Sequence, residues 1–354
     1  MTELTDPYVA LAIQSTVYAC KTRDDIMRNV DNVCRAIDET MFFGPMAGRP
    51  GLITLTEGAL QGFGGDEFQD PTDPWDHVRY AHEMAITVPG PETERLAEKA
   101  RQYGVYLAFQ AKAIDPDFGP DRYFNVGVLL SPEGEVVLRH TKNWTSAIEG
   151  STTPYDIWDE WRAKKGDMLE ACYPVVDTPI GRIGIAICAE TVFPETYRAL
   201  ALMGAEVVIT MAYPEPLTSF GYWEVRNRYQ AMYNALYMVC PNFGPYYADQ
   251  DAPPTSGMSG GNSMVVNYRG EVLDHLKHAS QGFVAAEIDI AALRRHRRGG
   301  LFALQATKMR SGLWKQIYER WPEYPSNLWL AKAQNQSERF GFEAELASKS
   351  ELLA

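Results

Sequence analysis

The chain has 354 residues, 45% hydrophobic and 22% charged, enough apolar material for a large core and too little charge density for extensive disorder. A net charge of −13 repels phosphate backbones and anionic lipid, and no stretch approaches the ~18 apolar residues of a membrane span. Neither nucleic acid nor a membrane is therefore an expected partner.

The five cysteines, Cys20, Cys34, Cys172, Cys188 and Cys240, are widely spaced and form no CxxC pair. That spacing supports neither a disulfide framework nor a zinc site, and no resolving cysteine stands near enough for a thiol redox protein. The opening MTELTDPYVALAIQ has no basic segment followed by a long apolar one, so no leader is expected and a cytoplasmic location fits. The basic cluster Arg294, Arg295, His296, Arg297 and Arg298 lacks interleaved aromatics and reads as a solvated or interface segment.

Strands and helices alternate along the chain. Residues 8–14 (YVALAIQ) form a short apolar run, the first buried strand. A helix is predicted over 24–37, with Ile26, Val30, Val33 and Ile37 near helical spacing. GLITLT (51–56) is the next strand and delivers Glu57 at its C-terminal end. From Pro91 the pattern is helical, with Thr93, Leu96, Ala97 and Ala100 on one face and Gly104 as the stop. The strand 105–110 follows. FNVGVLL, SPEGE and VVLRH then make strand, turn and strand, and Lys142 lies just beyond. YPVVDTPIGRIGIAIC repeats that grammar with its turn at 178–181. A helix is expected over 194–203, a strand over 205–210, a helix over 223–236 and a strand from Met238. SMVVNYRGEVLDHL is a last hairpin. Strand pairs joined by tight turns, among helices, argue for mixed sheets. No internal repeat is visible in the sequence.

Residues 146–168 break the pattern and read as an extended functional loop, with Tyr155, Trp158 and Trp161 available to narrow a pocket. The tail from Leu301 carries Trp314, Trp321 and Trp329, which should be covered by this chain or by a neighbouring subunit. Residues 1–300 are thus expected to form the main domain and 301–354 a C-terminal extension that packs on a partner subunit.

Cys188 ends the apolar run RIGIAIC and precedes a helical segment, a place where backbone N–H groups favour a thiolate. A thiol nucleophile needs a proton acceptor. None of the six histidines stands in a recognisable catalytic context; His140 comes nearest, two residues before Lys142. Glu57, at the end of another strand, can take that role, and Lys142 occupies the equivalent place on a third.

Three segments in order, LITLTEGAL, VLRHTKNW and GRIGIAICAETVFPE, together resemble the nitrilase superfamily of carbon–nitrogen hydrolases over roughly residues 8 to 295. The resemblance implies a four-layer α-β-β-α sandwich of the α/β class with mixed sheets. It also implies a catalytic Glu57, Lys142 and Cys188. IEG supplies Glu149 as a second glutamate, most like the aliphatic amidase and formamidase branch. Thr56 stands where many relatives have Pro, and Ala189 where many have an aromatic or charged residue. The backbone N–H of Ala189 would serve the oxyanion, and Trp144, Tyr213 and Trp223 are candidate pocket walls. The implied activity is hydrolysis of a small non-peptide amide through a cysteine thioester, without metal or organic cofactor, by a homo-oligomer built from dimers. A nitrile hydrolase with the same triad and a catalytically silent scaffold of the same fold are the rival readings.

Overall fold

Strands that are apolar at most positions must be covered on both faces, and the strands Tyr8–Gln14, Val207–Met211 and Tyr237–Cys240 are buried throughout. The protein is described by a computed structural model covering residues 6–63, 76–146, 148–166, 168–212, 221–248, 250–251, 260–299, 305–320, 324–332 and 335–349. In β1 (Tyr8–Gln14), Val9, Leu11 and Ile13 point into one core while Tyr8, Ala10 and Ala12 point into another. An alternation invisible as polarity is thus present as geometry.

The first sheet has the order β14-β1-β3-β4-β5-β6, with β3 (Pro50–Thr54), β4 (Tyr106–Ile114), β5 (Tyr123–Leu130), β6 (Val136–Thr141) and β14 (Gly282–Ile288). The second runs β13-β12-β10-β9-β8-β7, with β7 (Val176–Thr178), β8 (Gly181–Ile187), β9 (Val207–Met211), β10 (Tyr237–Cys240), β12 (Met264–Val266) and β13 (Val272–His275). Two short strands, β2 (Val17–Tyr18) and β11 (Tyr246–Tyr247), pair separately.

Read from β14 and from β7, both sheets show the same succession: antiparallel, parallel, parallel, antiparallel, antiparallel. The two sheets therefore share a strand-pairing plan that no sequence repeat announces. Backbone pairing constrains direction and period, and leaves side-chain identity free.

Three cores alternate with the sheets. Between them lie Ala10, Leu52, Ala108 and Leu129 of the first sheet against Ile183, Ile185, Val207 and Ile209 of the second. Outside the first sheet, α1 (Arg23–Phe43) and α3 (Pro91–Tyr103) cover Leu11, Ile53 and Leu107, with α2 (His77–Glu83) alongside. Outside the second, α6 (Pro194–Leu202) and α7 (Tyr222–Asn234) cover Ala186, Val208 and Met238. The layers are α-β-β-α, the sandwich that the sequence resemblance implies.

Helix α1 begins at a reciprocal Thr22–Asp25 capping box and continues past the expected end at Ile37 to Phe43. Helix α3 opens with Pro91 in its first turn and stops at Gly104, whose φ of +62° needs glycine. The expected extended loop at 146–168 is partly helical: it holds a 3-10 turn at Tyr155–Ile157 and α4 (Trp158–Lys165), followed by α5 (Met168–Cys172). Trp161 explains the difference. It is buried and stacks on Phe118 at 5.1 Å between centroids, which anchors that segment in the outer core.

The arginine cluster belongs to α8 (Ile290–Arg298) and is only partly solvated. Arg294 forms a two-pronged pair with buried Glu206 at 2.6 and 2.9 Å, and Arg297 donates to the carbonyls of Ala205 and Ala235. These bonds fasten α8 to the segments that lead into the central strands β9 and β10 of the second sheet. The tail forms α9 (Ser311–Tyr318) and α10 (Gln336–Ser348). Trp329 is buried against this chain's own residues, Trp314 stays half exposed, and Trp321 lies outside the described residues.

Gly127 on β5 lies where the two sheets approach tightly: a Cβ there would meet Ile185 Cγ2 of β8 at 2.5 Å. Gly127→Ala is expected to destabilise the fold by about 1–3 kcal/mol through overpacking, read as a lower urea midpoint at unchanged slope.

Candidate active site

The ends of three strands converge. Glu57 follows β3 by three residues. Its turn is held by the Gly58 N–H donating to Gln110 Oε1 at 2.8 Å and by Thr56 Oγ1 donating to Ala212 O of the opposite half at 3.0 Å. Gly58 has φ +75°, and a Cβ there would press on the Phe63 ring at 2.4 Å, so only glycine fits. Thr56 thus supplies a hydrogen bond between halves that a proline at this position could not make.

Lys142 is the first residue beyond β6, fixed by its own N–H donating to Asn125 O at 2.9 Å. Its Nζ donates to Glu57 Oε1 at 3.1 Å and to Glu149 Oε2 at 2.5 Å. All three side chains are buried. Asn125 Nδ2 donates to both carboxylates, at 3.0 Å to Glu57 Oε1 and 2.8 Å to Glu149 Oε1, and is itself oriented by Gln110 Nε2 at 2.8 Å. Ser151 Oγ adds a 2.6 Å bond to Glu149 Oε1. Glu57 Oε2 is buried without a hydrogen-bond partner among the described residues.

Burial alone would pull the Lys142 ammonium down, but Glu149, Glu57 and Cys188 outweigh it and hold it well above the usual lysine range. For Glu149, burial works upward and is outweighed by Lys142 and then by a second buried lysine, Lys112, which leaves the carboxyl below its ordinary value. Glu149 is therefore a carboxylate at neutral pH. Its stabilising effect is present above the unfolded glutamate value and is lost as pH falls through the lowered folded one.

Cys188 stands directly after β8 with φ +43°, an uncommon conformation for a residue with a side chain. Thr191 Oγ1 donates to its carbonyl, and a 3-10 turn over Cys188–Val192 leads into α6. Holding a non-glycine residue there costs on the order of 1–3 kcal/mol, the kind of strain that accumulates where a side chain must be presented sharply. Cys188 is the half-buried thiol; the other four cysteines are buried. Burial pushes the thiols of Cys172 and Cys240 up to about 12 and that of Cys34 to about 11. Those three are poor nucleophiles.

Glu190 joins the cysteine turn to the lysine strand. Its Oε1 accepts from Ile187 N at 2.7 Å and from His140 Nε2 at 2.6 Å, and its Oε2 accepts from Asn143 N at 2.9 Å. One buried carboxylate thus grips the residue before Cys188 and the residue after Lys142. His140, set aside as a base by its sequence context, is wholly buried in this joint.

Of the remaining expected residues, Ala189 follows the thiol in the first turn and is buried. Trp144 meets Phe193 edge-on at 5.0 Å and faces a cleft of about 300 Å³ shared with Tyr324 and Arg339. Tyr213 lies outside the described residues. Trp223 is a core residue, its Nε1 donating to Asn262 O at 2.9 Å, and Trp161 is likewise in a core. Sequence reading missed Asn125, Gln110, Lys112, Ser151 and Glu190. For the first three a signal existed: a polar side chain inside an otherwise apolar strand, as in YLAFQAKAI and YFNVGVLL.

Residues 14–298 match the carbon–nitrogen hydrolase family, and the chain belongs to it. It is 30% identical to a formamidase of Bacillus cereus (strain Q1) over 243 residues, 68% of this chain and 63% of that protein. The match thus spans less than two thirds of that relative's length. Among solved structures, Saccharomyces cerevisiae Nit3, a member of branch 10 of the nitrilase superfamily, superposes with a TM-score of 0.62 at 18% identity, covering 86% of this chain and 98% of that one. An amidase of Nesterenkonia sp. AN1, carrying the acetamide moiety of fluoroacetamide on its active-site cysteine, gives 0.61 at 17% identity, covering 89% and 99%. These two likenesses concern the fold.

Glu190→Gln would place an NH2 against N–H donors and loosen the joint. The expected result is a folded protein by circular dichroism whose turnover, measured as initial rates, falls on the order of 10–100-fold.

Proposed function

We propose that this protein hydrolyses a small non-peptide amide, releasing ammonia or an amine and a carboxylic acid, with Cys188 as nucleophile. The observation that carries this reading is the buried Lys142 ammonium bound to Glu57 and Glu149 and coupled electrostatically to Cys188, each from a different strand end or loop. The formamidase relatives favour an amide over a nitrile.

The chemistry follows from the groups present. Glu57, through its unengaged Oε2, accepts the thiol proton, and the sulfur adds to the amide carbonyl carbon. Negative charge collecting on the carbonyl oxygen is met by the Lys142 ammonium and the Ala189 N–H. Protonated Glu57 passes its proton to the nitrogen, the C–N bond breaks, and the amine leaves a thioester. Water, deprotonated by Glu57, adds to that thioester. The C–S bond then breaks to give the acid, and the proton returns from Glu57 to sulfur. Glu149 stays ionised throughout, holding Lys142 in place.

Five free cysteines suit a reducing, cytoplasmic setting. The outer face of α6, α7 and α9 exposes Leu202, Val225, Tyr229, Met232, Leu313 and Ile317, a surface suited to a second copy of this chain and to the dimer-based assembly that the family resemblance implies. Sedimentation velocity is expected to return a dimer or a multiple of it, and Met232→Glu with Val225→Glu to lower the mass.

Cys188→Ala is expected to fold and release no ammonia from a panel of formamide, short aliphatic, aromatic and carbamoyl amides. Lys142→Ala is expected to lose at least on the order of 10²-fold in turnover. Turnover retained by folded Cys188→Ala overturns the reading, and hydrolysis confined to matched nitriles reassigns the substrate class.

A further inference from the structure

The loop that carries Glu149 is held from a distant part of the chain. Arg339 of α10 is buried; its Nη1 donates to Thr145 Oγ1 and its Nη2 to Asp156 Oδ2 at 3.1 Å. Thr145 stands between Lys142 and Glu149, and Asp156 lies seven residues beyond Glu149; both are buried. Asp156 Oδ2 in turn accepts from Thr153 N and Thr153 Oγ1, each at 2.8 Å, and Ser151 Oγ holds Glu149. One guanidinium therefore spans the two ends of the segment whose middle carries Glu149.

The contact does not stand alone. The stretch before α10 docks along the same loop: Asn327 N donates to Tyr155 O at 2.9 Å, Trp329 N to Asp156 O at 3.0 Å, and Asp159 N to Asn327 Oδ1 at 2.8 Å. Arg122 Nη2 reaches Leu330 O at 2.8 Å from the first sheet's side. Burial pushes the Asp156 carboxyl above its ordinary value, and Arg339 with the Thr153 donors works against that rise. Without the guanidinium, a buried carboxylate would be left short of its cation, which the loop can relieve only by moving or by taking up a proton.

We propose that Arg339 is a positioning residue for the reaction: by clamping Thr145 to Asp156 it sets the place of Glu149 and, through Glu149, of the Lys142 ammonium. The C-terminal helix is on this account part of the catalytic apparatus of its own chain. The inference rests on the amide-hydrolase reading for its activity arm, and a second arm does without that reading.

The test compares wild type with Arg339→Met, Arg339→Lys, Asp156→Asn and the Arg339→Met, Asp156→Asn double variant in the full chain. Arg339→Met is expected to lower kcat on the order of 10–100-fold with KM changed less than about threefold, because an ångström-scale displacement of a charge-stabilising group acts on the chemical step. Arg339→Lys keeps the charge without the two-pronged fork and should fall between. The double variant should lose no more than the worse single one, since both break a single link. In the second arm, alkylation of Cys188 by iodoacetamide, which needs no substrate, is expected to slow in Arg339→Met as the Lys142 charge moves off the thiol. If wild type hydrolyses no amide, the functional reading fails while alkylation still reports on the clamp. Unchanged kcat and unchanged alkylation in folded Arg339→Met overturn the proposal. If that variant does not fold, wild-type values for both in Arg339→Lys overturn it.

Discussion

Everything at this site depends on one buried ammonium, that of Lys142. A buried ammonium is tolerable only with its counter-charges in contact, and Lys142 has two, at 3.1 and 2.5 Å. Those carboxylates would repel each other without the ammonium between them, and Asn125, donating to both, fills the remaining acceptor positions on the inner side. The set is self-supporting: remove any member and another is left buried and uncompensated. What is left over, Glu57 Oε2, faces no donor among the described residues.

That arrangement also dictates what the scaffold has to do. Glu57 and Lys142 come from the first sheet, Cys188 from the second, and the Lys142–Glu149 pair adds a loop between them. Two sheets that slid against each other would separate Glu57 and Lys142 from the sulfur. Glu190 opposes this by holding both strand ends, and Thr56 by reaching Ala212 across the halves. The strained backbone at Cys188 is sustained by the same bonds.

The layer order, most strand and helix positions, and the Glu57, Lys142 and Glu149 that hydrogen bonds join were legible in the sequence. They are legible because strand ends, turns and short motifs are local. The members that were not legible are of two physical kinds. Asn125, Gln110 and Lys112 sit inside strands, where a buried polar side chain is visible in the sequence but its partner across the sheet is not. Arg339 lies 183 residues from Asp156, and nothing local marks an arginine on a polar helix as one that will be buried. The loop read as extended was misjudged because Trp161 counted as a polar-region aromatic, whereas stacking on Phe118 draws it into the outer core.

Gly127 has a meaning beyond packing. The absent side chain on β5 lets Ile185 of β8 approach; the sulfur stands on the residue just after β8, and the ammonium on the residue just after β6, which pairs with β5. The thickness of the sandwich at that glycine is in effect a spacer gauge between the two sheets' strand ends. A methyl group inserted there acts as a shim, so chain positions with no chemistry of their own can tune how far the ammonium sits from the sulfur.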